Sequence, residues 1–236
     1  LGGQEQWDKI YDQFGLKGYL SGDTGTQAGG WFKNELTGVS DLQGLRFRTP
    51  GLGGQVWGKL GASVTNMAAG DIFAALQSGT LDAAEFVGPY NDLALGFYQV
   101  AKNYYFPSFV EPGLATELVV NKAKLAELPE DLQELVAVCA QASYDDVASD
   151  MYANDPRALR ALVDEHGVQI RRFPDEILEA GAKASMEVIA EIREGGDALT
   201  KETAESFISA FNLLRERTEG TDAPFLAARE KYIKYS

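Results

Sequence analysis

The sequence predicts an α/β fold, and three observations predict it. Short β-type runs alternate with short helical runs through the first half of the chain, the order that builds a sheet covered by helices. The second half changes to long stretches with a 3.6-residue apolar period. The 236 residues are 45% apolar and 24% charged, ordinary globular usage with enough chain for a proper core, and no run of eighteen apolar residues could span a membrane.

Residues 4–14 read as a short amphipathic helix carrying Trp7, Ile10, Tyr11 and Phe14, stopped by Gly15. Residues 17–21 form a short strand, 22–27 a polar loop, and Trp31-Phe32 lead into a turn around Ser40 to Gly44. Leu45-Arg46-Phe47-Arg48-Thr49 alternates apolar and polar, a strand that Pro50-Gly51 terminates. Residues 55–60 are helical up to Gly61, and 63–66 extended. Asp71 suits the start of a helix with Ile72, Ala75 and Leu76 on one face, and Gly79 closes it. A strand over 81–87, a helix over 91–100 and a strand over 115–120 complete the half, with the aromatic block 103–109 as a loop between elements.

Pro129-Glu130-Asp131 fits a first helical turn, and Leu132, Leu135, Val136, Cys139, Ser143, Val147 and Met151 continue it as one long helix that Asn154-Asp155-Pro156 should break. A helix over 157–166, a strand over 168–173 and a long helix over 175–193 follow. Thr200 caps a helix running to Arg217, and 225–235 is a terminal amphipathic piece.

A net charge of −14 argues against nucleic-acid binding, which needs clustered Lys and Arg against phosphates. An acidic chain that binds an anion must place its cations locally. The lone Cys139 excludes an internal disulfide and a thiolate cluster, and its helical apolar row reads as a small buried hydrophobe. The lone His166, before Gly167, suits the negative end of a helix and excludes a multi-His metal site. The chain opens at Leu1-Gly2-Gly3, which leads us to expect a mature form or a fragment.

Arg48 stands at the carboxyl end of its strand, where open α/β sheets gather ligands, and a guanidinium there offers a planar fork for a carboxylate. The same Arg serves equally as the partner of an Asp or Glu in so acidic a chain. Gly51-Leu52-Gly53-Gly54 lacks the Lys-Ser/Thr of a phosphate loop and reads as a close-packed turn. Glu85, flanked by apolar residues, is either buried and paired or a ligand to a hard cation, with Gln27 able to add an amide oxygen. Tyr104, Tyr105 and Phe106 are core or a pocket wall. No nucleophile elbow, zinc helix or Cys-His pair is present.

The stretches Gln27 to Phe32, Gly44 to Pro50, Gly70 to Glu85, Glu85 to Asp92 and Tyr104 to Pro107 together resemble the solute receptors of TRAP transporters, in the branch that binds 2-oxo acids and related monocarboxylates. The resemblance covers residues 1 to about 120 strongly and the helical remainder loosely. It implies an α/β, two-lobed periplasmic-binding-protein (Venus-flytrap) fold with long bracing helices, lacking the N-terminal part of one lobe. Residues 1–20 would be a remnant of that lobe, 21–120 the ligand-binding α/β lobe, and 121–236 the helical bracing and lobe-spanning segment. It also implies a periplasmic receptor, not an enzyme, that hands a small carboxylate such as pyruvate or lactate to small and large membrane subunits. Arg48 would take the carboxylate, with Gln27, Phe86, Trp31 and Tyr105 around the ligand. Gln27, Glu85 and the Phe86 carbonyl would hold a metal cation, sodium or calcium, bridging the ligand; no organic cofactor is implied. Phe86 stands where that branch often has Trp, which alters the pocket wall and not the carbonyl. Members can also pair through C-terminal helices, which the 225–235 segment could serve. The rival readings are a lyase or isomerase on a similar acid with Glu85 as base, and the receptor of an ATP-driven importer.

Overall fold

Residues 1–233 are described by the computed structural model. In chain order the elements are α1 (Gly3–Asp12), β1 (Leu16–Asp23), β2 (Gly30–Phe32), β3 (Arg46–Arg48), α2 (Gly51–Lys59), β4 (Ser63–Thr65), α3 (Ala69–Ser78), β5 (Ala83–Ala84), α4 (Pro89–Leu95), β6 (Asn103–Phe106), β7 (Ala115–Asn121), α5 (Lys122–Leu125), α6 (Glu130–Asp164), β8 (Gln169–Arg172), α7 (Asp175–Gly195), α8 (Ala198–Gly220) and α9 (Asp222–Tyr232). They fall into two compact units, Lys17–Val188 and Leu1–Leu16 with the chain from Ile189 onward.

The larger unit is built on a mixed six-stranded sheet of order β4-β3-β5-β2-β6-β8, beside a separate β1-β7 pair. β3 lies parallel to both β4 and β5, whereas β2 runs antiparallel to β5 and β6. The period-2 alternation of strands decides what is inside. Trp31 and Tyr104, cross-strand partners, stack with ring centroids 3.9 Å apart inside a cluster with Ile72, Leu76, Leu81, Phe97 and Leu162. Their neighbours Phe32 and Tyr105 turn the other way, onto Phe173, with Phe47 stacked on Phe32. Stacked pairs of this kind contribute about 0.5–1.5 kcal/mol beyond their area.

Three sequence expectations fail here for tertiary reasons. The aromatic block is a strand, β6, because it pairs with β2 on one side and β8 on the other. The long helix does not break at Pro156: α6 runs through it, with Met151 buried before the proline and Ala158 and Leu162 after it, so burial on both sides outweighs the lost backbone bond. Cys139 is exposed, on the outward side of that helix. His166 lies just past the end of α6 and stacks on Tyr98 at 4.0 Å. The larger departures are that Trp31-Phe32 belong to a strand, β2, that Gly51 to Gly54 form the first turn of α2, that the strand expected over 81–87 shortens to β5, that the helix expected over 91–100 ends at Leu95, and that Asp197, not Thr200, caps α8; the other element ends shift by up to three residues. In the smaller unit Lys9 and Gln6 of α1 both meet Glu202 of α8. Of the expected 225–235 segment, Lys234 and Tyr235 lie outside the described residues.

Candidate functional site

β3 is three residues long, and each points according to its environment. Phe47 is fully buried, Arg46 turns outward to a two-point pair with Asp82 at 2.5 and 2.8 Å, and Arg48 is 7% exposed. Because β3 lies between two parallel neighbours, Arg48 emerges among the carboxyl ends of strands. Its Nη1 donates to the Glu85 carbonyl at 2.7 Å and its Nε to the Met67 carbonyl at 3.1 Å. Neither bond uses Nη2, so among the described residues the guanidinium is held by backbone oxygens with part of its donor fork uncommitted. The Phe86 ring lies under it at 5.6 Å, a cation–π contact.

Glu85 is held through its main chain by the same Arg, since its N–H donates to the Arg48 carbonyl at 2.9 Å. Its carboxylate accepts from the Thr49 hydroxyl at 3.3 Å and stays 4.0 Å from Arg48 Nη1. Glu85 and Arg48 are therefore neighbours without a close ion pair. Burial, with the Glu111 carboxylate adding to it, pushes Glu85 up to about 8, against the pull of Arg48. Burial likewise lowers Arg48 and raises Glu111. Glu85 faces a recess lined by Gly29, Thr49, Trp57, Ser108 and Glu111, among others. At Gly53, on the first turn of α2, the N–H donates to Glu111 at 3.2 Å, and a Cβ would sit 2.9 Å from that carboxylate. Glycine there lets the Glu111 carboxylate reach the helix start without moving aside.

Gln27 is 4% exposed, and its carbonyl accepts from the N–H of Ser108 at 3.0 Å, which sets it at the edge of the same recess. Its side-chain amide donates to the Thr24 hydroxyl at 3.0 Å, and its Oε1 is directed by that bond. Gly30 follows with φ 122°, and a Cβ there would meet the Ala84 carbonyl at 2.8 Å, so this crossing of β2 over β5 also demands glycine.

The structure thus gathers Arg48, Glu85 and Phe86 directly and brings Gln27 beside them. Trp31 and Tyr105 lie behind, fully buried on opposite faces of the sheet: Trp31 on Tyr104, and Tyr105 with its hydroxyl accepting from the Leu36 N–H at 2.6 Å. Two participants escaped sequence reasoning. Glu111 carries no local signal, since Glu-Pro-Gly reads as a turn and only folding sets it across from Arg48. Asp92 lies in a helix where an exposed acid is the default, yet it is fully buried. Among the described residues no three His, Cys, Asp or Glu side chains converge as a metal cluster. Any ion at this place would be held by mixed oxygen donors, the chemistry of sodium or calcium: a carboxylate, a side-chain amide and a backbone carbonyl.

The family described as bacterial extracellular solute-binding protein, family 7 (DctP), matches residues 2–195. The chain belongs to this family. As a member of an extracellular solute-binding family it is an extracytoplasmic protein, and among its described residues no helix is long and apolar enough to cross a membrane. This DctP-family chain is 37% identical over 206 residues to a monocarboxylate 2-oxoacid-binding periplasmic protein of Nostoc sp., covering 87% of this chain and 56% of the relative. It therefore spans a little over half the length of that curated relative. Among solved structures it is similar to a TRAP periplasmic solute-binding protein of Pseudoalteromonas atlantica with bound sodium and pyruvate, at TM-score 0.91 and 36% identity over 96% of this chain and 69% of that one. It is also similar to one of Colwellia psychrerythraea with bound calcium and pyruvate, at TM-score 0.90 and 38% identity over the same shares, 96% and 69%. The α/β receptor fold expected from the sequence is the fold of these neighbours.

Proposed function

We propose that the protein is the extracytoplasmic solute-binding subunit of a TRAP transporter, taking a small 2-oxo or 2-hydroxy monocarboxylate such as pyruvate or lactate together with sodium or calcium. The observation that carries this reading is Arg48: buried, held by backbone carbonyls, and set beside a Glu85 carboxylate that it does not neutralise at close range. Pyruvate with sodium or calcium in similar proteins supports the same chemistry.

The guanidinium would take the ligand carboxylate through charge-assisted bonds. Glu85, the Gln27 amide oxygen and the Phe86 carbonyl would hold the cation, with Glu111 as a further acidic neighbour. A bound cation supplies the positive charge that lets Glu85 stay ionised where burial otherwise protonates it, and offers a second point of attachment for the ligand. Phe86 packs beneath Arg48, while Trp31 and Tyr105 stand behind it in the core, on opposite faces of the sheet. The receptor would deliver the acid to small and large TRAP membrane subunits and return it chemically unchanged. These site residues all lie within 21–120, which we propose as the ligand-binding lobe.

Calorimetric titration of pyruvate into calcium-containing buffer, repeated after dialysis against chelator, tests both halves. Micromolar binding that weakens at least tenfold without cation is expected. Absence of pyruvate binding in either buffer would overturn the receptor assignment, and unchanged affinity after chelation would remove the cation from it. Loss of the pyruvate signal over time by NMR would favour a lyase or isomerase instead.

We also propose that α8 and α9 pair two copies of the chain, because Phe207, Phe211, Leu214, Phe225 and Leu226 are all exposed there. Light scattering should show a dimer that Phe207→Glu with Phe211→Glu converts to a monomer; a monomeric wild type would sink this.

A further inference from the structure

The carboxylate of Asp92 is completely buried and accepts three hydrogen bonds from three parts of the fold. Its Oδ2 takes the Trp31 indole N–H of β2 and the Tyr104 hydroxyl of β6, each at 2.8 Å. Its Oδ1 takes the Val87 N–H at 3.3 Å. The Val87 carbonyl in turn accepts from the N–H of Ala28, next to Gln27, at 2.9 Å. At the other end of the same segment, Glu85 is tied through its N–H and carbonyl to Arg48. Residue 86 is thereby held between two pinned neighbours, and among the described residues no donor takes its carbonyl oxygen.

From this we infer that Asp92 is a positioning residue for the cation half of the site: by anchoring Val87 to the Trp31–Tyr104 core, it sets the Phe86 carbonyl and the adjoining Gln27 at one place. The inference rests on the proposed cation-binding role of Gln27, Glu85 and Phe86. Its physical basis is acceptor geometry. An ionised carboxylate only accepts, so it satisfies all three donors at once, whereas an asparagine must turn an NH2 toward one of them. With two donors converging on Oδ2, the amide oxygen stays with the core and the NH2 faces the Val87 N–H. The loop tie is then lost while the core bonds survive.

The test compares Asp92→Asn with Tyr104→Phe in the whole chain, using calcium alone as the probe. Asn should speed hydrogen exchange at the Val87 amide in ligand-free protein and weaken calcium affinity at least tenfold. Phe at 104 removes one core donor but leaves the loop tie, so it should lower Tm while keeping calcium affinity within twofold. A merely structural Asp92 would move Tm in both variants and calcium affinity in neither. A folded Asn variant with wild-type calcium affinity and wild-type Val87 protection would overturn the inference. Where Asn fails to fold, Asp92→Ser, which keeps a small acceptor near the core donors and gives up the Val87 contact, must show the same two losses. A wild type that binds no calcium would overturn the cation reading itself, and the Val87 exchange rate would still report whether Asp92 holds the segment.

Discussion

Glu85 and Asp92 lie on one short stretch of chain, both with buried carboxylates, and their surroundings could hardly differ more. Asp92 has an indole N–H, a phenol hydroxyl and a backbone N–H directed at it, all from the protein's own frame. Glu85 has one hydroxyl at 3.3 Å, an Arg no nearer than 4.0 Å and a second acid, Glu111, close enough to oppose its ionisation. Burying an acid is costly unless donors or cations compensate it. Asp92 is compensated by fixed groups, so it serves the structure. Glu85 is compensated poorly, facing a recess, and that is the condition of a group kept for something that arrives from outside.

The largest effect that could break this contrast is expected at Arg48. Arg48→Ala should weaken pyruvate binding on the order of a hundredfold or more, since removing one partner of a buried charge pair costs roughly 2–5 kcal/mol. Micromolar binding surviving in that variant, by calorimetry, would mean the carboxylate is held elsewhere.

Next comes the pair of amide substitutions. Glu85→Gln should cut calcium affinity at least tenfold while leaving the Tm of the ligand-free protein unchanged or higher, because it removes a carboxylate with few partners. Asp92→Asn should lower that Tm by several degrees, taking about 1–3 kcal/mol for an unsatisfied buried donor and about 2–4 °C per kcal/mol in a chain of this size. Equal Tm losses in the two variants would erase the distinction.

The pH dependence should sharpen it further. Burial, first among the causes, and the Glu111 carboxylate raise Glu85 to about 8 from its ordinary 4.5, against the pull of Arg48. Between those limits the folded state binds more protons at Glu85 than the unfolded one, so this group makes stability fall as pH rises. The ligand-free protein should therefore melt several degrees higher at about pH 5.5 than at about pH 8.5, and saturating calcium should narrow the gap by stabilising ionised Glu85. A ligand-free Tm that climbs over the same range would contradict this. The smallest effect is expected at Cys139. Being exposed, it should react with a thiol reagent in the native protein, and Cys139→Ser should change stability by no more than about 0.5 kcal/mol.

Much of the site could be read from local patterns. The alternation of Leu45 to Thr49 placed Arg48 at a strand's end, and a Glu flanked by apolar residues had to be buried and paired or used. The core strand β6 was harder: Tyr104-Tyr105-Phe106 has no polar alternation, because both faces of that strand are covered, and a buried strand looks like any aromatic run. Pro156 misled in the opposite sense, since its local cost is real and only the packing of Met151, Ala158 and Leu162 reverses the outcome.

By itself the sequence determined the α/β class, the acidic character that requires a local cation for an anionic ligand, and the residue types able to supply it. Those follow from composition and from periods of two and 3.6, which are properties of neighbours along the chain. The tertiary structure alone decided that Glu111 comes within reach of Arg48, that Asp92 is anchored to Trp31 and Tyr104, and that Cys139 faces water. Each of those is a relation between residues far apart in sequence, or between a helix and what packs on it. No local pattern encodes such a relation, because the free energy that selects it comes from burial shared across the whole unit.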